Sequence, residues 1–139
     1  MARIDKLGAK IILYPDAEEF IQQSLLRARM TAVAEEIRKD PEAHPLRRSL
    51  LKTKMRPYQL DGIAFAAGAD RAILADDMGL DKTNQGISVV ELLARQAPVS
   101  KVLIICPASV RSQWRSEILR FSDRSCDRVL GGAVQRAAQ

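Results

Sequence analysis

Lys82 and Thr83 stand side by side just after a short apolar stretch, Ile73-Leu74-Ala75, has passed into a loop containing Gly79. An ammonium next to a hydroxyl at the start of a helix suits a phosphate chain. The first helical N–H groups surround the β-phosphate, the lysine neutralises charge and the threonine ligates Mg2+. The strict spacing for such a loop asks for glycine at two positions that are here Asp76 and Asp81. Spacing alone therefore does not identify the site. Asp76 and Asp77 follow an apolar run and also fit the end of a strand that holds Mg2+, a second chemistry for the same segment.

Other residues offer less. Arg47, Arg48, Lys52, Lys54 and Arg56 are five basic residues in a ten-residue window that holds no acidic one. They read either as a strip that contacts nucleic-acid phosphates or as a solvated linker. His44 is the only histidine, and Cys106 and Cys126 are the only cysteines, without CxxC spacing. Zinc wants four ligands of a kind that the chain does not supply. His44 lies in a polar, proline-flanked stretch and reads as a surface-loop residue. Arg120, Arg124 and Arg128 recur every four residues, but Glu117, Asp123 and Asp127 are interleaved, which favours a solvated helix face.

The elements that must position these groups follow from apolar spacing. Ile11-Ile12-Leu13-Tyr14, closed by Pro15, reads as a strand. Asp16 with Glu19 resembles a capping box, and Leu26, Met30, Val33 and Ile37 form the stripe of a helix that Asp40-Pro41 stops. Pro57 opens a second helix, with Leu60, Ile63, Ala64 and Ala67 on one face and Gly68 as its stop. Ala72–Ala75 is a short apolar strand, and a helix from about Lys82 to Arg95 follows. Val102–Cys106 is a fully apolar strand, and a helix presents Val110, Trp114, Ile118 and Phe121 on one face. Arg128-Val129-Leu130 is a candidate third strand before Gly131-Gly132. Strand, loop, helix, strand and helix in this order predict an α/β fold, a parallel sheet with flanking helices. Residues 1–50 read as a helical lead-in with one short strand, and 51–139 as the α/β part.

Length and composition are consistent with this. One compact domain suits 139 residues, and 47% hydrophobic with 28% charged residues can bury a core. A net charge of +5 permits a polyanionic partner without requiring one. No apolar run approaches the ~20 residues of a membrane span, and the start lacks the apolar stretch of a signal peptide, so no membrane partner and a cytoplasmic location are expected.

The flanks of the Lys82 loop complete a series. Arg56-Pro57-Tyr58-Gln59 puts Gln59 23 residues before Lys82, and Leu103–Ser109 puts Pro107 25 residues after it, with Trp114 further on. This ordered series resembles the start of the ATPase core of Swi/Snf-type proteins, superfamily-2 helicase-like DNA translocases related to the DEAD/DEAH-box helicases. The resemblance runs from Met55 to Phe121, about half the chain. It implies that 51–139 is an incomplete RecA-like ATP-binding lobe of the P-loop class. Arg56 and Gln59 then belong to a motif that reads adenine, with Gln59 at the adenine edge. Asp77, Met78, Gly79, Leu80, Asp81, Lys82, Thr83 and Gln85 fall in the phosphate-binding motif, and Asp76-Asp77 become loop residues there. Gly79 maps to the phosphate cradle, Lys82 to the phosphate cation and Thr83 to the Mg2+ ligand. Pro107, Ala108 and Ser109 map to a motif that touches the nucleic-acid backbone. Trp114, which shares a face with Ile118 and Phe121, reads as core. The implied cofactors are ATP and Mg2+, and the implied partner is duplex DNA.

Three departures qualify that implication. Asp81 replaces the glycine before the lysine, adding a Cβ and a negative charge where phosphates approach, so ATP binding is expected to be weakened. Asn84 stands where the family usually has an apolar residue. No Asp-Glu-x-His segment and no second lobe follow, so the chain reads as the first part of a longer ATPase that does not hydrolyse ATP alone, with the remainder as a partner. Two other readings stay open: a non-enzymatic nucleic-acid-binding module, and an inactive remnant of a truncated gene.

Overall fold

In the computed structural model, residues 14–69, 71–75, 77, 79–97 and 99–129 are described. They form five helices: α1 (Pro15–Lys39), α2 (Leu46–Ser49), α3 (Pro57–Gly68), α4 (Lys82–Gln96) and α5 (Arg111–Phe121), the last entered through a 3-10 turn, Ala108–Val110.

The long helix α1 begins at Pro15, whose fixed φ suits a first helical position. The expected capping box is not formed, because the helix starts two residues early and Tyr14 becomes the N-cap. Asp16 is left inside the first turn, where its charge faces the positive helix end, and Glu19 accepts from Gln23 Nε2 at 3.1 Å. Met30, Ala34 and Ile37 are buried against Leu60, Ile63, Ala64 and Ala67 of α3. The crossing is close: a Cβ on Gly68 would lie 3.2 Å from that of Ala34. Leu50, Met55 and Leu92 of α4 close this main core. A second cluster joins Leu51, Ile87 and Ile118, with Trp114, Phe121 and Cys126 around it.

Polar contacts pin the connections. Arg95 donates through Nη2 to the carbonyls of Ser49 at 2.6 Å and Leu50 at 3.2 Å. Glu91 accepts from Arg124 Nε at 2.7 Å, and that hydrogen bond, with the charge attraction, raises the Arg124 guanidinium above its ordinary value. His44 is no surface-loop residue: its side chain is largely buried, and Nδ1 accepts from the Leu46 N–H at 3.3 Å. The arginines at 120, 124 and 128 do not share a helix face, since α5 ends at Phe121. Arg120 lies over the Phe121 ring, and Arg128 Nη1 donates to Ser112 Oγ.

The α/β expectation is corrected here. Among the described residues there is no strand, and the RecA-like parallel sheet is not seen. The two apolar runs read as strands, 72–75 and 102–106, pass through without ladder partners. Ile73 is 84%, Leu103 76% and Ile105 89% exposed. A continuous apolar run says that a segment suits burial on two faces, but not what covers it. Here the helices spend their apolar faces on one another, α1 on α3 and α3 on α4, and none is laid over these runs. Two lone parallel strands with both faces wet would be marginal. Arg128 and Val129 likewise form no strand. Ile11–Leu13, Asp76, Met78, Leu130 and Gly131-Gly132 lie outside the described residues.

Candidate nucleotide cleft

Gln59 is the third residue of α3 and is 6% exposed. Its Oε1 accepts from the backbone N–H of Arg56 at 2.8 Å, satisfying the N-cap as the third helical position does in a capping box. Pro57 at the first position and Gln59 at the third thus fix the start of α3, and Tyr58 between them is exposed.

The loop before α4 is built on two residues of positive φ. Gly79 has φ 90°, with open space where a Cβ would be, so its role is conformational. Asp81, the N-cap of α4, has φ 57° and ψ 47°, and is the one non-glycine residue of positive φ among the described residues. The position where the resemblance asks for glycine is therefore left-handed, a conformation that costs an L-residue of the order of 1 kcal/mol and that Asp tolerates better than most. The Asp81 carboxylate accepts a hydrogen bond from Nδ2 of Asn84, and the Asp81 carbonyl accepts from the backbone N–H groups of Asn84 and Gln85. Lys82 Nζ donates to the Asp77 carbonyl at 3.0 Å, across the loop.

These residues face a common open cleft of roughly 1100 Å³. Lys54, Arg56, Tyr58 and Gln59 form one wall, and Gly79, Leu80, Asp81, Lys82, Thr83 and Asn84 the floor. Val110, Gln113, Trp114 and Glu117 of the α5 region close the third side. Gln113 Nε2 donates to Glu117 Oε1 at 2.8 Å, while Glu117 Oε2 is buried without a hydrogen-bond partner. Trp114 packs over Gly86, 3.4 Å from where a Cβ would stand, so it serves the second cluster and the cleft wall together.

Not every candidate residue meets there. Gln85 is fully buried and turns toward α3 instead, with its amide near Gly62 and the Leu80 carbonyl. Asp77 contributes its backbone to Lys82, and Pro107, Ala108 and Ser109 are exposed off the cleft. The basic strip divides. Arg47 is a structural brace, donating to the Met55 carbonyl at 2.9 Å and the Glu42 carbonyl at 2.5 Å. Lys52 pairs with Asp123 at 2.7 Å, Arg48 is exposed, and Lys54 and Arg56 reach the cleft. Gln113 and Glu117 line the cleft without carrying any motif. Their one signal in the sequence is place: Gln113 is beside Trp114, and Glu117 follows it by about one helical turn.

The family model for the SNF2-related domain matches residues 58–134, more than half of the chain. The chain belongs to the SNF2-related family. That makes it a member of the Swi/Snf-type helicase-like ATPases. This SNF2-related chain is 42% identical over 72 residues to the DNA annealing helicase and endonuclease ZRANB3 of Mus musculus, covering 51% of the chain and 6% of that protein. It is 40% identical over 82 residues to the DNA repair and recombination protein RAD54B of Mus musculus, covering 48% and 9%. It is 42% identical over 77 residues to the chromatin-remodeling ATPase INO80 of Schizosaccharomyces pombe, covering 52% and 5%. The SNF2-related chain thus spans a tenth or less of the length of these relatives. No solved structure matches it.

Proposed function

We propose that the chain binds ATP with Mg2+ in the cleft and serves as the nucleotide side of a DNA-dependent Swi/Snf-type ATPase. The observation that supports this reading is convergence. Gln59 and Lys82, 23 residues apart and from two different motifs, line one cleft, and Trp114 of α5 closes it. The donor chemistry fits a nucleoside triphosphate. Lys82, Lys54 and Arg56 supply positive charge for phosphates, Thr83 a hydroxyl for Mg2+, and Tyr58 with Gln59 an aromatic face and an amide for a base. Bound Mg2+ would bridge and neutralise phosphate oxygens. Asp81 is the misfit, a carboxylate on the floor where phosphate oxygens approach. The 139 residues contain no Asp-Glu-x-His segment to orient water, so the reading is nucleotide binding without turnover by these residues alone. Duplex DNA is the proposed partner, approached through Arg48 and Lys54 and the exposed Pro107-Ala108-Ser109.

The test is titration of the chain with a fluorescent ATP analogue and Mg2+. Removing Asp81 by Asp81→Gly takes away a repulsion of roughly 1.5–3 kcal/mol, so affinity should rise about 10- to 150-fold. Lys82→Ala on that background should abolish the gain. Absence of saturable binding by the Gly variant would overturn the reading, and salt-sensitive DNA binding without nucleotide binding would favour a DNA-binding module.

A further inference from the structure

Asn84 is 6% exposed, lines the cleft and makes an unusual division of its amide. Nδ2 donates to the Asp81 carboxylate, while Oδ1 is buried without a hydrogen-bond partner. Burying an amide oxygen unsatisfied is unfavourable. The amide nevertheless faces this way, because the opposite orientation would set two acceptor oxygens together and break the bond to the carboxylate. The two residues also sit at the two places of the first turn that matter for an anion. Asp81 is the N-cap, and Asn84 is the third residue of the helix. The helix N-terminus between them carries N–H groups without intrahelical partners and a partial positive charge.

We propose that Asn84 is the positioning residue that sets the phosphate affinity of this loop, by clasping the Asp81 carboxylate over the N-terminus of α4 as a built-in anion. The proposal deepens the nucleotide reading and rests on it. A free aspartate side chain in this exposed position would rotate toward water and leave the helix end to a ligand. The side-chain bond to Asn84 removes that freedom and keeps the charge on the floor of the cleft, beside Lys82 and Thr83. A ligand's terminal phosphates must then break the clasp as well as meet the charge, whereas a ligand without phosphates meets neither.

The experiment compares the parent chain with Asn84→Ala, Asn84→Leu, Asp81→Gly and Asp81→Gly/Asn84→Ala, each checked for helicity and urea midpoint. The leucine variant keeps the buried volume filled should the alanine variant fold poorly. The probes are a fluorescent ATP analogue with Mg2+, inorganic tripolyphosphate and adenosine. Releasing the clasp should tighten ATP and tripolyphosphate about 3- to 10-fold in the parent background. In the Asp81→Gly background the same replacement should change nothing, since no carboxylate remains to be held. Adenosine affinity should stay level throughout, which a general loosening of the fold would not produce. An equal effect of Asn84→Ala in both backgrounds, or weaker tripolyphosphate binding on releasing the clasp, would overturn the proposal. Tripolyphosphate binding that follows this pattern without ATP or adenosine binding would sustain the clasp and sink the nucleotide reading. Failure of every variant to bind tripolyphosphate would overturn the clasp's role in phosphate affinity.

Discussion

Oε1 of Gln85 lies 2.6 Å from the point where a Cβ on Gly62 would stand, so the side chain missing from α3 is replaced by the amide of α4. Gln85 is fully buried and Gly62 half-buried, and the two helices meet at this point. A residue with a branched Cβ at 62 would have to push aside a buried amide. Gly62→Val should destabilise the chain by about 1–3 kcal/mol, the range for overpacking. Gln85→Ala on top of it should return part of that loss. Urea unfolding followed by Trp114 fluorescence reads both, and purely additive effects would show that the two residues do not interlock.

The main core should respond more strongly than any surface position. Ile63 is fully buried between α1 and α3, so Ile63→Ala removes packed methyl groups and leaves a cavity. A loss of about 2–5 kcal/mol is expected in the same urea experiment. A change below about 1 kcal/mol would mean that α1 does not hold α3 as described.

The basic strip should not act as a unit. Arg48, Lys54 and Arg56 are the three whose charges remain on the surface or in the cleft, whereas Arg47 and Lys52 are engaged by protein carbonyls and Asp123. On duplex DNA, replacing the first three by Gln should lower the slope of log K against log salt by about 0.9 for each phosphate that is no longer neutralised. Arg47→Gln should chiefly reduce stability, by about 1–3 kcal/mol, because it leaves the Met55 carbonyl without its donor. Equal slopes for the triple variant and the parent would remove the strip from any DNA binding.

Trp114 is the only tryptophan and stands on the cleft wall. Addition of ATP with Mg2+ to the Asp81→Gly variant should therefore change the intrinsic fluorescence with the same midpoint as the labelled-nucleotide titration. An unchanged spectrum under saturating nucleotide would place the ligand away from α5.

The four longer helices were legible, but the short α2 (Leu46–Ser49), read only as part of a basic strip, and the absence of sheet were not, for reasons visible in particular residues. Pro57 and Gly68 mark the ends of α3, and the spacing of Leu60, Ile63, Ala64 and Ala67 gives its buried face. These are local signals, carried by residues within one turn of each other. The Val102–Cys106 run has the composition of a buried strand, but a ladder depends on partners distant in sequence, which no local pattern supplies. The cleft shows the same split. Lys82 and Thr83 stand out by type, Gln59 only through the family resemblance, and the three line one cleft. Glu117 gains its place in the cleft only from elements brought together by folding, and the role of Gln85 depends on a glycine 23 residues earlier. Asp81 was legible as a misplaced charge, but its left-handed backbone and its bond to Asn84 were not.

The exposed Val102-Leu103-Ile104-Ile105 run has a consequence for how the chain behaves in concentrated solution. A short, uncharged stretch rich in β-branched residues and without ladder partners is a template for intermolecular cross-β stacking. Its borders counter this: Lys101 places a charge at one end, and Pro107, one residue past Cys106, lacks the N–H that a growing fibril would need at the other. Such flanking gatekeepers limit aggregation without contributing to the native packing. Lys101 and Pro107, neither of which lines the cleft, thus stand in the gatekeeper positions of a run that the helices leave uncovered.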